Sequence, residues 1–93
     1  MNKHFNIKIY GRVQGVFFRV TAREQAHNLS IKGFAKNESD GTVYIEAEGE
    51  GKNLKKFLSW CKVGPDGAKV EKIKISEGLF KNFAEFERDF IDY

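Results

Sequence analysis

The chain has 93 residues, enough for one hydrophobic core and not two, so residues 1–93 read as a single domain. Apolar content of 41%, nine Phe and one Pro argue against disorder, and a lone cysteine, Cys61, excludes an internal disulfide and any Cys-based metal set. The net charge of +3 is uneven: residues 1–36 carry seven Lys/Arg against one acid, and residues 37–93 carry nine against twelve. A basic N-terminal third suits a small anion and is too thin for a dedicated nucleic-acid binder.

Phe5, Ile7 and Ile9 alternate with Asn6, Lys8 and Tyr10, which predicts a strand with one buried face. His4 precedes it and has no partner legible in the sequence. The strand runs into Gly11-Arg12-Val13-Gln14-Gly15-Val16-Phe17-Phe18-Arg19. Glycine at 11 and 15 permits positive φ or close approach of the backbone to a ligand. A helix is predicted next, because Phe18, Ala22, Ala26 and Leu29 recur at helical spacing, with Asn28 and Ser30 as its stop. A glycine turn that opens a helix gathers backbone N–H groups into an anion site. Arg19, in the first helical turn, carries a guanidinium able to fork onto two phosphate oxygens. No Gly-Lys-Ser/Thr follows, so this is not a Walker loop, and Gly49-x-Gly51 lacks the third glycine of a dinucleotide site.

Ile31 to Asn37 is a second predicted strand and Thr42 to Glu48 a third, joined through Glu38-Ser39-Asp40-Gly41 as a hairpin. Val43, Ile45 and Ala47 face inward, which leaves Glu46, Glu48 and Glu50 as an outer, solubilising edge. Asn53 is a candidate helix cap; Leu54, Phe57, Leu58 and Cys61 form the apolar stripe, and Gly64-Pro65 ends the helix. Val70 to Glu77 is a fourth strand, with Ile73 and Ile75 inward. Phe80, Phe83, Phe86 and Phe90 fit neither period, and a short strand is expected around Asn82–Glu87. The order β-α-β-β-α-β plus a short C-terminal strand predicts an α+β, ferredoxin-like sandwich, an antiparallel sheet with two helices on one face.

The series from Gly11 to Arg19, then Gly33-Phe34-Ala35-Lys36-Asn37, then Asp40-Gly41-Thr42-Val43, resembles the acylphosphatase family over nearly the whole chain, to about Glu87. The resemblance implies an enzyme, an acylphosphatase, that hydrolyses acyl phosphates to a carboxylate and inorganic phosphate with no cofactor and no metal. It implies that the backbone amides of Gln14, Gly15, Val16, Phe17, Phe18 and Arg19 bind the substrate phosphate. Arg19 and Asn37 are then the catalytic residues, Arg19 as the clamp and Asn37 as the group that positions the attacking water. Phe34 stands where many members carry Trp, and Glu38 puts a carboxylate next to the anion site.

Arg12 and His27 are expected in solvent, and Cys61 in the core as an inert thiol. The alternative function is a non-catalytic phosphate-ligand or RNA-binding module of the same fold. Lys32-Gly33-Phe34-Ala35 begins like an RNA-recognition motif, but Lys36-Asn37-Glu38 supplies no stacking residues. The presence of both Arg19 and Asn37 favours a free-standing catalyst. The expected partners are a small acyl phosphate and inorganic phosphate as product inhibitor, with no nucleic acid and no membrane. No apolar run is long enough for a signal peptide or a bilayer span, and a cytoplasmic monomer is expected.

Overall fold

A computed structural model describes residues 1–88. The elements are β1 (Asn2–Arg12), α1 (Phe18–Asn28), β2 (Lys32–Asn37), β3 (Val43–Glu50), α2 (Gly51–Cys61), β4 (Lys69–Gly78) and β5 (Phe86–Arg88). The sheet order is β4-β1-β3-β2-β5. The first four strands pair antiparallel, and β5 joins β2 in parallel, so the sheet is mixed rather than wholly antiparallel. This is the ferredoxin-like sandwich expected from the element order. The terminal strand lies at the far end of its expected range, and Phe90 falls outside the described residues.

Both helices lie against the sheet on the face that carries Ile7, Ile9, Ala35, Val43, Ile45 and Ala47, all fully buried. The inner stripe of α1 is Phe18, Ala22 and Ala26, and the two alanines let its backbone approach the sheet closely. Its end closes where Ser30 turns left-handed (φ 56°) and the Ile31 N–H bonds the Ala26 carbonyl at 2.8 Å. α2 buries Leu54, Phe57 and Cys61, and burial pushes the Cys61 thiol pKa up. Phe57 packs edge-on to Phe86 (5.8 Å between centroids), and Phe18 packs on Trp60 (5.2 Å). Asn53 is not the cap: the helix starts at Gly51, after Glu50, with no side-chain cap. The Gly51 N–H bonds the Met1 carbonyl (3.2 Å), so the residue just before β1 supplies a partner there.

The opposite face corrects the expectation of an acidic, solvent-facing edge. β3 is an interior strand, and Glu46 and Glu48 are buried. His4 is also buried and belongs to β1, directly opposite Glu48. The reason is topological: β4 and β5 occupy opposite edges, so the chain between them must cross the sheet, and it does so over this end of the outer face. Glu48 holds that crossing. Its carboxylate accepts the Lys81 backbone N–H, the Phe83 N–H at 2.8 Å, and His4 Nδ1 at 2.7 Å. Glu46 accepts Lys81 Nζ (2.9 Å) and the Tyr44 hydroxyl (2.8 Å), and Phe83 stacks on His4. Only Glu50 behaves as the exposed carboxylate of the sequence reading.

Burial alone would raise the Glu48 pKa, but the Lys81 and Phe83 amides and His4 outweigh it and hold the carboxyl below its ordinary value of 4.5. A depressed folded pKa gives stability that is present above the unfolded value and lost as pH falls through the folded one. Glu48→Gln is therefore expected to lower stability by about 1–3 kcal/mol near neutrality. The difference from wild type should shrink as the pH falls below 4.5, read by urea melts across the acid range. A gap that stays constant with pH would show that the carboxylate charge is not what holds the crossing.

Candidate active site

The turn between β1 and α1 is built from two different uses of glycine. At Gly11 a Cβ would lie 2.1 Å from the Lys69 carbonyl oxygen, at the point where the β1–β4 register shifts. That glycine serves the sheet. At Gly15 (φ +75°) a Cβ would meet nothing within 4 Å, so the residue is required by its backbone angle and borders open space. Two residues on, Phe17 is also left-handed (φ 62°, ψ 29°) and is 78% exposed. A bulky aromatic residue there is a true outlier, and such strain gathers at functional sites.

Phe17 is the residue that opens α1, and its conformation decides what the first turn offers. The helix has no side-chain cap and no acidic residue in its first turn. Its leading N–H groups therefore present positive charge with no built-in anion to meet it. Thr21 holds the corner, its N–H (3.1 Å) and its hydroxyl (2.8 Å) both bonding the Phe17 carbonyl.

These features open onto a cleft of about 230 Å³ lined by Val13, Gly15, Phe17, Phe18, Arg19, Val20 and Asn37. Arg19 arrives from α1 and Asn37 from the end of β2. Both residues have interaction partners of their own. Gln14 and Val16 do not line the cleft. Val16 packs against the core, and Gln14 does something the sequence did not announce. Its side-chain amide donates to the Glu38 carbonyl (2.8 Å) and to the Thr42 carbonyl (3.0 Å). The turn that carries Arg19 is thereby tied across to the turn that follows Asn37.

That second turn is rigid in its own right. The Asp40 carboxylate accepts the Thr42 N–H (3.1 Å) and hydroxyl (2.6 Å), and pairs with Lys8 Nζ at 3.0 Å. The Thr42 hydroxyl and then Lys8 bring its pKa down to about 2. Glu38 does not line the cleft; its carboxylate lies 3.9 Å from Lys36 Nζ. Arg12 and His27 are exposed and Cys61 is buried, as expected. No cluster of three or more His, Cys, Asp or Glu able to hold a metal occurs among the described residues.

The chain as a whole has close counterparts among known proteins. Residues 5–88 match the acylphosphatase family model. The chain belongs to the acylphosphatase family. A protein named acylphosphatase from Ligilactobacillus salivarius (strain UCC118) is 46% identical over 85 residues, 90% of this chain and 94% of its own. Another from Archaeoglobus fulgidus is 46% identical over 81 residues, 87% of this chain and 91% of its own. The crystal structure of acylphosphatase from Bacillus subtilis superposes with a TM-score of 0.92 at 33% identity, covering 97% of this chain and all of that one.

The Gln14 brace generates a separable prediction for this member of the family. Both carbonyls it bonds keep a second donor, the Gly41 N–H on Glu38 (3.1 Å) and the Glu38 N–H on Thr42 (2.8 Å). Gln14→Ala should then cost only about 1–2 kcal/mol of stability. The lost register between the two turns should lower kcat by about 10- to 100-fold, since small misplacements of reacting groups are costly. Denaturant melts and steady-state rates on the same preparation check both numbers. Unchanged kcat would mean that the turns keep their register without the brace.

Proposed function

We propose that hydrolysis of an acyl phosphate, the reaction of this family, is carried out here by backbone amides of the Gln14–Arg19 turn, the Arg19 guanidinium and the Asn37 carboxamide. The observation that supports this reading is the cleft itself, where Arg19 and Asn37, 18 positions apart in the sequence, meet beside a left-handed helix entry.

The substrate's phosphoryl group sits on the amides, with Arg19 forking onto two of its oxygens. Water attacks phosphorus in line with the acyl oxygen; the P–O bond to the acyl group breaks, and the products are a carboxylate and inorganic phosphate. The leaving group is a stable anion near neutral pH, because ordinary carboxyls titrate at about 4. It needs no general acid, and the cleft lining supplies none. Charge shifts among the phosphoryl oxygens in a loose transition state, so preorganised donors do most of the work. Asn37 both donates and accepts hydrogen bonds and can hold the water without acting as a strong base. The water's proton passes to the phosphate. Val13, Phe17, Phe18 and Val20 form the apolar part of the wall and border the acyl half. We place this chemistry in a cytoplasmic monomer, with inorganic phosphate as product inhibitor.

The roles of the two residues separate in one experiment. Asn37→Ala is expected to lower kcat by at least about 10²-fold, the loss of one preorganised donor, with the Ki for phosphate near wild type. Arg19→Ala should lose activity and weaken phosphate inhibition together, and Arg19→Lys should restore little, because an ammonium cannot fork onto two oxygens. If kcat and Ki collapse together in a folded Asn37→Ala, Asn37 belongs to the phosphate cradle. Since the leaving group needs no Lewis acid, full activity is expected in excess EDTA. Loss of activity with EDTA, restored by a divalent ion, would overturn the mechanism.

A further inference from the structure

The face of the sheet turned away from the helices is covered at one end by the chain that crosses from β4 to β5. The other end is open and carries a different chemistry. Register places Lys74, Lys8, Tyr44 and Lys36 in one row across β4, β1, β3 and β2. One step along, Lys72 lies opposite Tyr10. The Tyr10 ring has three ammonium groups near it, from Lys72 at 5.1 Å and from Lys8 and Lys74 at 5.7 Å each. Lys36 lies 5.9 Å from the Tyr44 ring, and a groove of about 440 Å³ runs between Lys8, Tyr44 and Lys74.

Folding does not ask for this arrangement. Like charges directly opposite on neighbouring strands destabilise a sheet, yet Lys8 and Lys74 are register partners with Lys72 beside them. Edge protection accounts for lysines on β4 but not for Lys8, because β1 is an interior strand. The carboxylates nearby are Asp40, bound to Lys8, Glu38, 3.9 Å from Lys36, and Glu46, which accepts the Tyr44 hydroxyl and is paired with Lys81; among the described residues neither Lys72 nor Lys74 has an acidic partner. Tyr44 is kept protonated: burial and its bond to Glu46 push its pKa up to about 12, so it adds no negative charge.

We propose that this open face binds single-stranded nucleic acid, with bases stacking on Tyr10 and Tyr44 and phosphates meeting Lys8, Lys72 and Lys74. Aromatic platforms bordered by cations are the chemistry that holds single strands without reading sequence. From the sequence an RNA-recognition motif is not expected, because Lys36-Asn37-Glu38 supplies no stacking residues. The structure puts the aromatics on the two central strands instead, where neighbouring diagonal positions lie about 7–8 Å apart. The inference does not rest on the catalytic roles of Arg19 or Asn37.

The test is fluorescence anisotropy with a short labelled oligothymidylate, in excess inorganic phosphate to occupy the cleft. Three lysine–phosphate contacts predict affinity falling about 20-fold between about 50 and 200 mM salt. Tyr10→Leu should weaken binding at least about fivefold and Tyr10→Phe should restore it, because only the ring face is used. Lys72→Gln with Lys74→Gln should flatten the salt dependence, and acyl phosphate hydrolysis should be unchanged in all these variants. Absence of binding at low salt, equal binding of the matched duplex, or binding that phosphate displaces would overturn the proposal. So would preference for anionic vesicles, or concentration-dependent self-association abolished by the same substitutions with no oligonucleotide bound.

Discussion

A left-handed backbone at Phe17 is the constraint from which the cleft follows. A strand that feeds directly into a helix must change direction within a few residues, and here the change is made at Gly15 and Phe17. Glycine adopts that conformation freely, but for phenylalanine it costs energy that surrounding contacts must supply. Thr21 bonds the Phe17 carbonyl twice, and the next residue, Phe18, is locked into the core. The result is a helix entry whose amides are uncapped and whose neighbouring residues line a cleft. Space and positive potential come from the main chain, so few charged side chains are needed.

The sheet divides its two faces between different tasks. The inner face holds the core and sets the distance between α1 and the end of β2, which brings Arg19 and Asn37 to one cleft. The outer face handles a topological problem, the return of the chain from one edge of the sheet to the other. It solves this with a buried carboxylate rather than apolar packing alone. Glu48 accepts two backbone donors, from Lys81 and Phe83, as the chain crosses. β5 then pairs with β2, the strand that ends in Asn37. A polar tie on one face thus supports the strand that carries the site on the other.

The Gln14 side chain couples the two turns without belonging to the cleft. It reaches 24 and 28 positions along the chain to two carbonyls. Those carbonyls belong to a hairpin turn already stiffened by Asp40 and Thr42. Such a tie fixes the two turns relative to each other through main-chain acceptors, and electrostatic catalysis in general gains from groups fixed before substrate arrives.

Local periodicity carried most of the fold. Alternation at Phe5, Ile7 and Ile9, the Ala22–Ala26 stripe, and the Leu54–Cys61 stripe are short-range patterns, and each became the expected element. The glycine turn and the spacing of Arg19 and Asn37 were legible because they are motifs, quoted residue by residue. What the sequence could not supply was anything that depends on which segment lies across which face. Glu46 and Glu48 alternate with apolar residues exactly as solvent-facing carboxylates do, and His4 shows no neighbour within its own segment. Their burial arises because strand order forces residues 79–85 over them, an event 31 or more positions away in the chain. The same holds for Gln14 and for the lysine row on the outer face. Period and composition specify which side of an element is apolar; only tertiary structure decides which polar groups meet, because pairing across a sheet is set by topology and register.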